Sequence, residues 1–381
     1  MPEWWARGLD FRPCLLPIPP MRIAYVINSL EGGGAAFPVP AITDIFRQAG
    51  HEVAIFALTR RDGLAEAPMR AAGLEVFTCG AGSQNQLAAA FWLMRTLRKW
   101  QPTHLWTSLT RATLLGQQVG RRLRVPVASW QHSARLKPGN RLLLRAARNL
   151  SCFWVGDSRY VTEITQSALS IPSSRLACWP IFCAKASSPA AAPWIPGQTL
   201  RLGSLGRLHP VKGYAPLLQA LTLLKGADLP EFELIIAGEG RERAALEAQI
   251  AQNGLGGHVR LPGFTADTQD FLTSLHLYLQ PSRWEGFCIA AHEAMLAGLP
   301  VIGSRVGEMT YSIEDGLTGW SVPPENPEAL AVTLRQALKN PERLAQTGAA
   351  ARNLVLTRYG ETTFRQTGFS LLERLERSSP A

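Results

Sequence analysis

"PSRWEGFCIAAHEAMLAGLPVIGSRVG" (281–307) sets two carboxylates, Glu285 and Glu293, into a run otherwise rich in small and apolar residues. If the run from Glu285 onward is one helix, their spacing gives a rise of about 12 Å and a turn of about 80° beyond two full turns. That is too far apart for a glycosidase dyad, which needs about 5–9.5 Å. The pair can instead grip two ends of one long ligand. Glu285 is expected at the helix start, beside the free N–H groups of Gly286 and Phe287, which suit a phosphate or a hydroxyl. Glu293, about two turns in, is costly to bury without a donor, and sugar hydroxyls are good donors. A nucleotide-sugar fits, with ribose at one end, hexose at the other and diphosphate between. The bland alternative is a helix-start glutamate plus an unrelated surface one. The apolar neighbours of Glu293 make that the poorer account.

Outward from this stretch, apolar strand-like runs alternate with helical patterns, which predicts α/β layers around parallel sheets. In the first half the strands are 22–27, 52–58, 74–79, 104–108, 125–131 and 152–158, with helices including 40–49 and 86–100. The Ala-, Ser- and Pro-rich segment 183–199 reads as a linker. Strands resume at 200–208, 232–240, 258–264, 275–282 and 300–307, and the tail 326–378 reads as helical, with breaks near Asn340-Pro341 and Tyr359-Gly360. The expected boundaries are an acceptor-side domain over 21–183, a linker over 184–199 and a second domain over 200–355. A helix over 356–381 is expected to return to the first domain. Residues 1–20 read as a disordered extension before Met21.

With 46% hydrophobic and 18% charged residues in 381, the composition is globular. No run of eighteen apolar residues appears, so no membrane-spanning helix is expected and the protein is placed in the cytoplasm. The six cysteines show no C-x-x-C pair, and reduced thiols are the simplest reading. The net charge of +10 is uneven: between Glu75 and Asp157 there is no acidic residue, while the interval carries twelve Arg or Lys. Such a field attracts a phospholipid leaflet or a phosphorylated glycolipid. Nucleic acid is not expected, because no recognition motif accompanies the charge.

Two loops carry further chemistry. "NSLEGGGAAF" (28–37) follows the first strand, and its glycines Gly32, Gly33 and Gly34 permit close backbone approach near a helix N-terminus. "GSLGRLHPVKG" (203–213) places Arg207 and Lys212 where a parallel strand ends, the edge at which open α/β sheets bind ligands. A bidentate fork and a point charge suit a diphosphate.

These residues resemble the retaining family 4 glycosyltransferases, which have the GT-B fold of two Rossmann-like domains facing each other across a cleft. The likeness rests on Glu285-Gly286-Phe287, His292-Glu293-Ala294-Met295 and Gly298-Leu299-Pro300-Val301 at E-x7-E spacing. It extends to Gly32–Gly34, His132, Gly206-Arg207, Lys212-Gly213, "AGEG" (237–240) and "EDGLTGWSVPPENPEALA" (314–331), over about residues 21–360. It implies that Arg207 and Lys212 neutralise the diphosphate, Glu285 contacts the transferred sugar, and Glu293 binds the ribose. Gly286, Phe287, Cys288 and Ile289 lie beside the donor, as do Gly206, Gly238 and Phe264. The glycine loop serves phosphate or acceptor, and His132 reaches the donor sugar. No metal is implied, and the sequence has no Asp-x-Asp. No cofactor is expected beyond the nucleotide-diphosphate sugar, UDP-linked by family frequency. The implied acceptor is an anionic glycolipid or polysaccharide, reached at the inner membrane face through the basic region 95–148.

Three places depart from the family pattern: Ala35-Ala36-Phe37 after the glycines, Glu308 and Tyr311 after "SRVG", and "PIFCAK" (180–185) before the linker. They bear on acceptor and sugar more than on the donor grip. Two alternatives use the same scaffold, an epimerase acting on UDP-N-acetylhexosamine and a non-catalytic binding module. The first is not expected to carry the paired glutamates, and sugar release separates the second from a transferase.

Overall fold

The computed structural model describes residues 20–80, 82 and 85–378. The segment read as an N-terminal extension therefore lies, apart from Pro20, outside the described residues.

Seven parallel strands form the first sheet: β1 (Arg22–Ile27), β2 (Glu52–Ala57), β3 (Glu75–Thr78), β4 (His104–Ser108), β5 (Val127–Gln131), β6 (Phe153–Gly156) and β7 (Leu176–Cys178). Their order is β3-β2-β1-β4-β5-β6-β7. Helices α1 (Val39–Gln48), α2 (Glu66–Ala71), α3 (Gln86–Trp100), α4 (Thr110–Leu123), α5 (Pro138–Ala147) and α6 (Arg159–Leu169) make the crossovers. The second sheet has six parallel strands: β8 (Leu200–Leu205), β9 (Phe232–Ala237), β10 (Val259–Gly263), β11 (Leu277–Gln280), β12 (Val301–Ser304) and β13 (Gly319–Val322). They run in the order β10-β9-β8-β11-β12-β13. Around it lie α7 (Tyr214–Thr222), α8 (Arg243–Gln252), α9 (Thr268–Thr273), α10 (Ile289–Leu296), α11 (Met309–Ser312) and α12 (Pro327–Leu338), followed by α13 (Leu344–Tyr359) and α14 (Glu361–Glu376). These are the two parallel-sheet α/β domains that the alternation of strand and helix predicts, in the GT-B architecture that the resemblance implies.

The central strands are buried on both faces, as parallel sheets require, so they read as continuous apolar runs. Two strands escape the sequence reading. β7 is three residues long, and β13 hides inside a glycine-containing turn segment; neither is long enough to show a period. Four fully buried tryptophans fill the first domain, and Trp130 stacks on Trp179 with centroids 4.9 Å apart. The indole N–H of Trp179 donates to the carbonyl of Phe364 at 3.0 Å, so α14 lies against the first domain beside α1.

One expectation about the opening stretch is corrected. The helix carrying Glu293 begins at Ile289, not at Glu285. Cys288 holds a left-handed backbone (φ +66°), which stops helical hydrogen bonding from reaching further back. Glu285, Gly286 and Phe287 form a turn before the helix, and Glu293 is its fifth residue.

Candidate functional site

The turn 281–288 follows β11, and its contents are held from both domains. The Glu285 carboxylate accepts from Lys212 Nζ at 2.7 Å and from Ser282 Oγ at 2.7 Å, with Gln280 Nε2 more distant at 3.4 Å. Burial works against the Lys212 ammonium, but the Glu285 carboxylate outweighs it and holds the amine well above its ordinary value. The loop carrying Lys212 can meet this turn only because residue 213 is glycine. Gly213 has φ +69°, and a Cβ there would stand 1.9 Å from the Pro281 carbonyl oxygen. Gly238 likewise lies against the backbone of Gly206, where a Cβ would be 1.9 Å from its carbonyl oxygen. Arg207 reaches outward with its side chain 74% exposed and faces Glu31 of the first domain at 3.7 Å.

Glu293 is half-buried, and its side chain makes no hydrogen bond or ion pair among the described residues. Burial alone pushes its carboxyl up from the ordinary value. An unpartnered carboxylate in such a place favours a ligand that brings hydroxyl donors.

The first domain closes the other side. Gly286 meets the His132 carbonyl so closely that a Cβ would be 2.8 Å from that oxygen, and a Cβ on Gly34 would be 3.4 Å from Ile289 Cδ1. The Gly32 amide donates to Asp62 Oδ1 at 2.9 Å, so within the glycine loop it is already engaged. The Arg135 guanidinium lies over the Trp284 ring, 5.0 Å from its centroid. Phe264, expected beside the donor, is exposed on the loop after β10. Phe287 and Cys288 are buried under the turn, and burial raises the Cys288 thiol.

His132 follows β5, and its ring is held by side chains of its own domain. Both ring nitrogens are committed inside the first domain: Nε2 to Ser108 Oγ at 2.8 Å and Nδ1 to Asp157 Oδ2 at 3.2 Å. Because a carboxylate only accepts, Nδ1 carries the proton and donates to Asp157. The His132 and Asp157 side chains are each 4% exposed. Ser108, His132 and Asp157 end or follow the neighbouring strands β4, β5 and β6, which sets them in a row along one sheet edge.

The two departures after "SRVG" are interdomain contacts. Glu308 is buried; its carboxylate accepts from the Tyr160 amide near the start of α6 and from the Tyr359 hydroxyl, both at 3.0 Å. Burial raises the Glu308 carboxyl, and these two donors pull back against it. Tyr311 donates to Glu163 at 2.6 Å. From Tyr359 the hydrogen bonds continue through Ser312 to His292 and on to the Cys288 carbonyl. The buried His292 ring is pushed down to about 4 by desolvation.

Sequence reasoning missed Ser282 and Gln280 under Glu285, Ser108 and Asp157 around His132, and Glu31 opposite Arg207. Asp157 offered a signal, since a lone acid at a strand end closes an 81-residue stretch without another. Among the described residues, no group of three or more His, Cys, Asp or Glu converges as metal ligands would.

Comparison with known proteins now bears on this geometry. Residues 192–354 match the family model of glycosyl transferases group 1. The match covers the second domain with Arg207, Lys212, Glu285 and Glu293. The chain is 32% identical over 187 residues to the amylovoran biosynthesis glycosyltransferase AmsK of Erwinia amylovora, covering 47% of this chain and 46% of that protein. It is 27% identical over 198 residues to the lipopolysaccharide core biosynthesis glycosyltransferase LpsE of Rhizobium meliloti, covering 51% and 52%. The chain thus spans about half the length of the curated relatives it matches. Across nearly the whole fold it superposes on Anabaena HepE in complex with UDP, with a TM-score of 0.78, 21% identity, and 93% and 100% of the two chains covered. A sucrose-phosphate synthase from Thermosynechococcus elongatus gives a TM-score of 0.80 at 18% identity, covering 94% and 100%. At these identities the likeness is one of fold. Among the described residues no helix is long and apolar enough to cross a membrane.

Proposed function

We propose that this protein is a retaining glycosyltransferase that moves a sugar from a nucleotide-diphosphate donor, UDP-linked, onto a glycan or lipid-linked acceptor of the cell surface. The observation that carries the reading is Glu293: a half-buried carboxylate without a partner, on the helix that follows a turn in which Lys212 already grips Glu285. Ribose hydroxyls supply the donors Glu293 lacks. The diphosphate lies toward Lys212 and Arg207, and the hexose toward Glu285 and the His132 carbonyl.

The chemistry follows from charge. The bond from the sugar's anomeric carbon to the diphosphate oxygen breaks, and its electron pair leaves with the diphosphate. The sugar passes through an oxocarbenium-like state while the acceptor hydroxyl attacks on the departing face and gives its proton to the departing diphosphate oxygen. Preorganised cations at the leaving group supply the largest stabilisation in such a step. This reading assigns that work to Lys212 and Arg207 rather than to a metal ion. For Arg207 to serve, the weak contact to Glu31 gives way to the diphosphate, which carries more charge. Closure of the domains excludes the water that would hydrolyse the donor.

The acceptor side is read from charge and from the names of the relatives, which point to polysaccharide and lipopolysaccharide synthesis. The basic region 95–148 is assigned to an anionic acceptor or membrane surface.

The test is a thermal-shift panel with UDP, GDP, ADP, CMP and NAD, followed by sugar release from the stabilising nucleotide's glucose, galactose and N-acetylglucosamine donors. Ligand at a hundredfold excess over Kd stabilises by about 2.7 kcal/mol. Stabilisation by UDP with turnover of a UDP-sugar is expected. Binding without turnover leaves only a binding module, and no binding overturns the donor reading.

A further inference from the structure

Among the described residues, six large apolar side chains of the first domain stand in solvent: Phe37, Leu64, Leu87, Phe91, Leu142 and Leu143. Leu87 is 85% exposed, Phe91 71% and Leu142 69%. Each follows the carboxyl end of a strand: β1 for Phe37, β2 for Leu64, β3 for Leu87 and Phe91, β5 for Leu142 and Leu143. In a parallel sheet all carboxyl ends share one edge, and here that edge faces the cleft. Phe37 and Leu64 both rest against the glycine loop, since a Cβ on Gly32 would meet them at 3.1 and 3.0 Å.

Two helices add charge to this rim. On α3 the exposed positions 87, 91 and 95 recur at helical spacing, so Leu87 and Phe91 continue into Arg95 on one face, while Arg98 lies in the last turn toward the far edge. On α5, exposed Arg141 and Arg145 flank Leu142 and Leu143. Helix α4 packs against both α3 and α5, and Arg111 ties its start to α3 through Gln86 at 2.9 Å.

We infer that this rim docks the protein on an anionic lipid bilayer, with the apolar side chains entering the interface and the flanking arginines meeting the headgroups. A soluble polyanion would use the cations alone and leave the leucines and phenylalanines exposed. Apolar residues beside cations on one face are what an interfacial surface requires. The absence of any acid from 76 to 156 removes the repulsion an acidic leaflet would otherwise meet. The inference deepens the acceptor side of the proposed function: with the cleft mouth on the bilayer, a lipid-linked sugar reaches the site without leaving the membrane. The geometry also divides the basic stretch. Arg121, Arg122 and Arg124 end α4 at the opposite edge of the sheet, away from the rim.

The test is co-sedimentation of the full chain with vesicles of phosphatidylcholine, alone or mixed with phosphatidylglycerol, at low and high salt. Wild type is expected to bind the mixed vesicles and to keep part of that binding at high salt. The exposed quadruple variant Leu87→Ser, Phe91→Ser, Leu142→Ser, Leu143→Ser should lose about tenfold or more in affinity, with the salt-resistant part gone. Arg141→Glu with Arg145→Glu should lose about fivefold for each charge removed, and more for reversal. Reversal at Arg121, Arg122 and Arg124 should cost less. Absence of phosphatidylglycerol-dependent binding, serine variants that sediment like wild type, or equal loss from the far-edge arginines would each overturn the inference. UDP binding, measured on the same proteins without lipid, reports separately on the donor reading.

Discussion

Replacing Glu293 by Met separates a ligand-binding carboxylate from a structural one by the sign of its effect. In the free protein Glu293 is half-buried and unpartnered, and burial raises its carboxyl. A buried polar group without a partner costs about 1–3 kcal/mol. Met has similar length and a comparable helix propensity, so it removes the cost without opening a cavity. Because Glu293 is only half-buried, the free protein should gain at most about 1 kcal/mol. That corresponds to a melting point higher by about 2–4 °C per kcal/mol in domains of this size. UDP binding should weaken in the same variant, because hydrogen bonds to a charged group are worth about 1.5–3 kcal/mol, a factor of about 10 to 150. Glu293→Gln keeps one carbonyl acceptor and should fall between. The assays are calorimetric unfolding without ligand and titration calorimetry with UDP. Linkage adds a pH signature. A carboxyl titrating higher in the folded than in the unfolded state binds more protons when folded, so stability falls as pH rises between the two values. The window opens at the ordinary carboxylate value, about 4.3, and closes at the raised one. Glu308 contributes with the same sign, so the difference between wild type and Glu293→Met isolates Glu293. A lower melting point together with unchanged UDP affinity would refute the reasoning.

Further outcomes follow from the contacts around the cleft. Asp157→Asn makes the partner of His132 Nδ1 a possible donor and should move the ring proton to Nε2, visible in the imidazole nitrogen shifts; donor turnover should fall with little change in donor KM, and unchanged shifts would remove Asp157 from this role. Glu308→Ala strands the Tyr160 amide, leaves the Tyr359 hydroxyl with Ser312 alone, and should destabilise by about 1–3 kcal/mol by denaturant titration, whereas Glu308→Gln should lose less. Gly213→Ala forces a Cβ onto the Pro281 carbonyl at a positive φ and should displace Lys212, so that UDP binding is lost even where the circular dichroism spectrum survives.

Much of the architecture could be read from local pattern. Buried parallel strands announce themselves as apolar runs, and α3 falls at Gln86–Trp100, where its pattern placed it. The breaks at Asn340-Pro341 and Tyr359-Gly360 separate α12, α13 and α14 as their turn chemistry requires. What stayed hidden depends on the chain meeting itself. The start of α10 lies later than the pattern suggests because a left-handed Cys288 leaves no mark in composition; the close approaches of Gly307 to the carbonyls of Glu285 and Gly286 and of Gly213 to that of Pro281 show that this turn is fixed by neighbouring loops. The partners of His132 come from strands 24 and 25 residues away and could be joined only once the strand order was known. Glu308 and Tyr311 looked like damage to a motif, and in three dimensions they are the residues that bind the second domain to α6.

The chain passes between its domains at two places that touch. Ala184, at the first passage, donates its amide to the Tyr359 carbonyl at 2.8 Å and pairs with Gly360, where α13 gives way to α14 at the second. Two adjoining straps behave as the spine of a book. Paired connections of this kind favour rotation about the line they share over shear and twist. Glu308, bonded to Tyr359 beside that spine, travels little as the covers part, and contacts farther along the cleft take up the displacement. Cutting the second strap just before α14 would turn the spine into a single cord, so the lobes would meet in many orientations where the intact chain allows a narrow set.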